Sequence, residues 1–154
     1  MLKPMIAVTL CAFAGATAAV AIEPGRWESI SKVVDFEMAL PPGMPEGMMD
    51  MMKSQMVGKP QRDTQCITRA DLDEAPERMF AETDGQCRYD RFDMSGGRMT
   101  GVATCQMQGA TMRMTTTGTH DANSYKGVGV MEGDGEMGAM TIRTEFTGTR
   151  LGDC

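Results

Sequence analysis

The chain has 154 residues, 42% hydrophobic and 23% charged, with 15 basic against 21 acidic residues and a net charge of −6. That balance, without clustered Lys and Arg, excludes nucleic acid and anionic membrane surfaces as partners. The length suits one domain with a real core, small enough to profit from covalent staples.

Lys3 is the only charge before Glu23, and the residues from Met5 to Ala21 are apolar and rich in alanine. A positive start, an apolar middle and an Ala19-Val20-Ala21 end describe a secretory signal peptide over residues 1–21. Alanine, glycine and threonine make the stretch too weak for a membrane anchor, which needs about 20 strongly apolar residues. Val8-Thr9-Leu10 before Cys11 does not fit a lipoprotein signal. The expected mature chain is therefore one disulfide-stapled, β-rich domain over residues 22–154, exported and not embedded in a membrane. It keeps 14 basic and 21 acidic residues, a charge of −7.

Residues 26–38 alternate well enough to form a first strand, with Trp27, the sole tryptophan, anchoring its buried face. Pro41-Pro42-Gly43 stops it. The following segment, Met44 to Met56, places Met44, Met48, Met49, Met51, Met52 and Met56 within an arc of about 160° on a helix. Asp50, Lys53 and Ser54 fall on the other side, and Gly47 weakens the start. This predicts a short amphipathic helix with a methionine face, ended by Gly58-Lys59-Pro60. Thr64 to Ile67 reads as a short strand, and Thr68 as the cap of a helical turn over Arg69 to Asp73.

From Gly85 onward the pattern is a meander, with strands expected at 86–94, 98–107, 110–119, 124–132 and 138–148. The turns are Ser95-Gly96-Gly97, Gln108-Gly109, His120-Asp121-Ala122-Asn123 and Gly133-Asp134-Gly135-Glu136. Period two gathers Met99, Gly101, Ala103, Cys105 and Met107 on one face, Met112, Met114 and Thr116 on one, and Met140, Ile142, Thr144 and Phe146 on another. Gly127 and Gly129 within a strand indicate close approach or strong curvature. The expected fold is mainly β: an antiparallel meander of five to seven strands in a curved sheet or partly open barrel, with the methionine-faced helix packed on it.

Without the leader four cysteines remain: Cys66, Cys87, Cys105 and Cys154. An even number in an exported chain points to two disulfides, with three connectivities open. With a three-residue loop at Ser95-Gly96-Gly97, Cys87 falls opposite Cys105; a two-residue loop would place it opposite Gln106 instead. We favour Cys87–Cys105, which leaves Cys66–Cys154. Zinc is disfavoured because no Cys-x-x-Cys pair is present.

Pro24-Gly25-Arg26-Trp27-Glu28 just after the leader, a Met/Pro/Gly-rich stretch, Cys66-Ile67-Thr68, and the closing Gly148-Thr149-Arg150-Leu151-Gly152-Asp153-Cys154 resemble the proteobacterial domain-of-unknown-function family 3617. The resemblance covers essentially the whole mature chain. It implies a small protein of the bacterial envelope, periplasmic or secreted, and supports pairing of the terminal cysteine. It transfers no catalytic or ligand residue.

No catalytic motif is present, and the chain is expected to be non-enzymatic. His120 is a lone turn histidine, expected to be exposed. There is no Gly-x-Ser-x-Gly, no spare thiol, no zinc-protease pattern and no phosphate loop. Asp71-Leu72-Asp73-Glu74 and Asp134-Gly135-Glu136 lack the spacing of a calcium loop. Methionine stands out instead: of 18, all but Met1 and Met5 lie in the mature part. One use is a core filled by flexible thioethers where other chains use leucine, in a structural or stress-related protein. Another is a binding face for an apolar small molecule or peptide, carried by Met44, Met48, Met49, Met51, Met52 and Met56, with no cofactor. A third is Cu(I) held by Met48, Met49, Met51, Met52, Met112 and Met114, since soft thioethers suit that ion.

Overall fold

The computed structural model describes residues 21–39, 42, 43, 45, 47–75, 86–107, 109–135 and 138–154. The expected leader, apart from Ala21, and Met44 lie outside the described residues. The elements are β1 (Gly25–Met38), α1 (Met48–Met56), β2 (Pro60–Ile67), α2 (Arg69–Asp73), β3 (Cys87–Asp93), β4 (Arg98–Met107), β5 (Ala110–His120), β6 (Ser124–Gly135) and β7 (Gly138–Gly152). All seven strands form one antiparallel sheet in the order β2-β1-β7-β6-β5-β4-β3. β3 to β7 are a meander, β1 returns beside β7, and β2 and β3 are the two edges. The sheet is open, not a closed barrel.

Strand register sorts the side chains. Among the described residues the buried side chains, Trp27, Phe36, Met99, Ala103, Cys105, Met112 and His120, share one face. The opposite face carries Thr111, Arg113, Thr115, Thr117 and Thr119 along β5, and Thr141, Arg143, Glu145, Thr147 and Thr149 along β7. Trp27 is 0% exposed, which makes the first face the inner one. There the Trp27 ring stacks on Tyr125 at 5.5 Å, and the Tyr125 hydroxyl lies 2.6 Å from Ser29 Oγ.

Large inner-face side chains lie over glycines of the neighbouring strand. Tyr125 covers its cross-strand partner Gly148, Phe146 covers Gly127, and Met112 covers Gly133. Met99 lies over Gly118, with its Cε 3.0 Å from where a Cβ would be. Gly129 differs, since a Cβ there would meet nothing within 4 Å.

The β3–β4 hairpin brings Cys87 opposite Cys105, and the two are disulfide-bonded with Cα atoms 4.0 Å apart. The route differs from the expected one. Gly96 and Gly97 both have positive φ, 60° and 71°, and Arg98 N–H donates to the Ser95 carbonyl, which makes a two-residue primed turn. That turn alone offsets the pairing by one residue, as Asp93↔Thr100 and Arg91↔Val102 show. A bulge between Tyr89 and Arg91 then shifts it back.

Several boundaries differ from expectation. β2 begins at Pro60 rather than Thr64; nearly all its residues are exposed, so no apolar alternation marks it. Proline is tolerated at the first position of an edge strand. β6 and β7 run on to Gly135 and Gly152. α1 starts at Met48 rather than Met44, because Gly47 stands at its N-cap in a left-handed conformation, φ 88°. α2 has the expected cap: Thr68 Oγ1 accepts from Asp71 N–H at 3.2 Å, and Thr68 N–H donates to the Asp71 carboxylate at 2.8 Å.

The two glycines of β6 should respond differently to alanine. A Cβ at Gly127 would lie 2.9 Å from Phe146 Cε2 and 2.6 Å from the Thr117 carbonyl oxygen. Gly127→Ala is expected to cost about 1–3 kcal/mol in urea unfolding through overpacking. Gly129→Ala is expected to be neutral or to stabilise by up to about 1 kcal/mol. Equal losses at both positions would contradict the packing described.

Candidate functional site

β1 outruns its edge partner. β2 pairs only with Gly25 to Lys32, which leaves the Val33–Met38 half of β1 beyond the reach of β2. α1 lies against β1. Val57 bridges to Val33, Gly58 N–H donates to the Val33 carbonyl at 2.8 Å, and the main contact of α1 is with β1. Met49 and Lys53, one helical turn apart, face Glu37, Met38, Ala39, Ala139 and Thr141 across an open hollow of about 450 Å³.

The helix lies beside β1 as expected, and its methionine face is only partly packed. Met48, Met49 and Met52 are half-buried, Met51 is 55% exposed and Met56 37% exposed, and no residue of α1 is buried. The reason is geometric. At 100° per residue Met51 stands about 160° around the helix from Met49, so one flat contact cannot cover both. The methionines named for Cu(I) sit on different elements. Met48, Met49, Met51 and Met52 are on α1 beside β1, while Met112 and Met114 are on β5, three strands away in the sheet. Met112 is 4% exposed, opposite Cys105 and over Gly133, a core position.

His120 is not in an exposed turn. It is the last residue of β5, 8% exposed, with Tyr125 as its cross-strand partner. Its Nε2–H donates to the Met94 carbonyl at 3.1 Å, while Nδ1 is buried with no hydrogen-bond partner among the described residues. The parity of Met112, Met114, Thr116 and Gly118 carries the inner face on to His120, and that alternation was the available signal. The turn itself is made by Asp121, whose carboxylate accepts from the N–H groups of Asn123 and Ser124 at 2.8 and 2.7 Å. These bonds, the Asn123 N–H first, hold the Asp121 carboxyl below the usual carboxylate range. Asp93 is lowered likewise by the hydroxyl and N–H of Ser95. Both acids serve turns.

Three distant segments meet at one end of the sheet. Gly25 pairs with Ile67, Arg26 with both Cys66 and Gly152, and Trp27 with Arg150. Cys66 and Cys154 form the second disulfide, with Cα atoms 5.9 Å apart. Arg150 Nε–H donates to the Pro24 carbonyl at 2.8 Å, and its guanidinium crosses Gly25 where a Cβ would stand. The Trp27 indole N–H donates to the Glu23 carbonyl at 3.1 Å. Pro24–Glu28, Cys66–Thr68 and Gly148–Cys154 thus form a clasp around the buried tryptophan.

Among the described residues no helix is long and apolar enough to cross a membrane. Residues 22–154 match the model of a family described as protein of unknown function (DUF3617), and the chain belongs to that family. No curated protein and no solved structure matches the chain.

The clasp gives a stability prediction. Cys66 and Cys154 are 88 residues apart, and breaking their bond by Cys154→Ser is expected to remove roughly 2–4 kcal/mol in denaturant unfolding. An unchanged midpoint would show that the bond does not hold the end of the sheet.

Proposed function

We propose that this DUF3617 member is a non-enzymatic exported protein of the bacterial envelope that holds an apolar small molecule between α1 and the adjoining ends of β1 and β7. The observation that carries this reading is the hollow itself. Met49, Met38, Ala39 and Ala139 supply an apolar wall, and Lys53, Glu37 and Thr141 supply polar groups at its margin. Its volume, about 450 Å³, lies in the range of roughly 300–1,000 Å³ typical of small-molecule sites. Unbranched thioether side chains suit a wall that must adapt to its guest. Export is supported by the two disulfides, which persist in oxidising compartments, and by the signal-like sequence ahead of Ile22.

Binding of a fluorescent fatty-acid analogue to the purified mature protein tests the reading. Saturable binding is expected, weakened at least about tenfold by Met49→Asp, which puts a charge into the apolar wall. Met51→Asp, on the solvent side of α1, should leave it unchanged. Gly129→Val, which fills the open place on the inner face, should also leave it unchanged. Absence of saturable binding, or loss through Gly129→Val with Met49→Asp silent, would overturn the assignment to this hollow.

A further inference from the structure

We propose that α1 is a peroxide-responsive latch, with Met51 and Met56 as the first sites of sulfoxidation among the methionines whose exposure is described, and Met49 and Met52 as the sites that release the helix. The reaction is a two-electron oxidation. The thioether sulfur takes one oxygen atom from a peroxide, the peroxide O–O bond breaks, and hydrogen peroxide leaves as water. A thiol-dependent sulfoxide reductase reverses it, removing that oxygen as water while two thiols become a disulfide.

Exposure sets the order of attack. Met51 and Met56 are 55% and 37% exposed, whereas the inner-face Met99 and Met112 are 8% and 4% exposed. Five of the nine residues of α1 are methionine, so the helix concentrates accessible sulfur in one place.

Attachment sets the consequence. A nine-residue helix is marginal by itself. α1 has no side-chain hydrogen bond at its N-cap, where Gly47 stands. Among the described residues, what fixes it is its contact with β1, together with the Val57–Val33 bridge and the bond from Gly58 N–H to the Val33 carbonyl. A sulfoxide is strongly polar, and at the half-buried Met49 or Met52 it puts a group that prefers water where the thioether is partly withdrawn from it. At Met51, which faces solvent, the same change disturbs no contact with the sheet. Release of α1 would leave the Val33–Met38 half of β1, which β2 does not reach, with less cover, and an unpaired strand edge is a ready template for pairing with another strand. None of this requires a ligand in the hollow.

The test treats the disulfide-bonded mature protein with graded hydrogen peroxide. Peptide mapping by mass spectrometry reads each sulfoxide, and deuterium exchange reads the Gly58 amide that donates to Val33. Met51 and Met56 are expected to oxidise at least about tenfold faster than Met99 and Met112 while Gly58 stays protected. Protection should fall when Met49 and Met52 become oxidised, and return after methionine sulfoxide reductase treatment. A Met49→Leu/Met52→Leu protein should keep Gly58 protected at the same peroxide dose. Oxidation of Met99 and Met112 at the rate of Met51 would overturn the proposal. So would a Gly58 amide that stays protected once Met49 is a sulfoxide, or one that opens equally in the leucine variant.

Discussion

A single open sheet can bury a tryptophan only if its inner side chains find room between the strands, and here that room is provided by glycine. Tyr125 lies on Gly148 and Phe146 on Gly127, successive inner-face rungs of the β6–β7 ladder. Met112 over Gly133 and Met99 over Gly118 repeat the arrangement on the strands that follow. Each of these large side chains lies over a glycine of the neighbouring strand, where a Cβ would clash, so the inner face is covered without a second layer of sheet. Trp27, stacked on Tyr125, is the point on which this packing converges.

Much of this was legible in the sequence, though not always for the right reason. The meander, the first strand and the face shared by Met99, Gly101, Ala103 and Cys105 follow from period two, because one side of each strand is buried. The Cys87–Cys105 pairing was reached from a three-residue loop, whereas the chain uses a Gly96-Gly97 turn and a bulge at Asp90 whose one-residue offsets cancel. No sequence rule shows such a cancellation, since a bulge has little local signature beyond the strand it interrupts. β2 was half missed because an edge strand with both faces in water has no alternation to display. His120 reads as a turn residue because turn-forming residues follow it, while the inner-face parity that places it in β5 lies on its N-terminal side.

The segments that carry the family resemblance are those that close the fold. Pro24–Glu28, Cys66–Thr68 and Gly148–Cys154 meet around Trp27, tied by the Cys66–Cys154 bond and by Arg150 reaching across Gly25 to Pro24. Their chemistry is accounted for by this role: glycine where a guanidinium passes, arginine where a backbone carbonyl needs a donor, cysteine where the C-terminus must be held. They therefore identify the fold while saying little about any ligand. A search for function has to look where structural demand is lower.

α1 is that place. The uncovered half of β1 has to be shielded, because an exposed strand edge invites pairing with other chains. A short helix with a narrow apolar strip would be enough beside it, and α1, in contact with β1, has Met48, Met49 and Met52 half-buried. The methionine arc goes further, to Met51 on the far side, where leucine-like burial cannot explain it and a charged residue would serve solubility better. The sequence keeps thioethers where the fold asks only for something polar. That excess, rather than the acidic clusters or the single histidine, is the feature of this chain that packing leaves unexplained. Both readings of α1, as the wall of an apolar site and as a surface that reacts with peroxide, start from it.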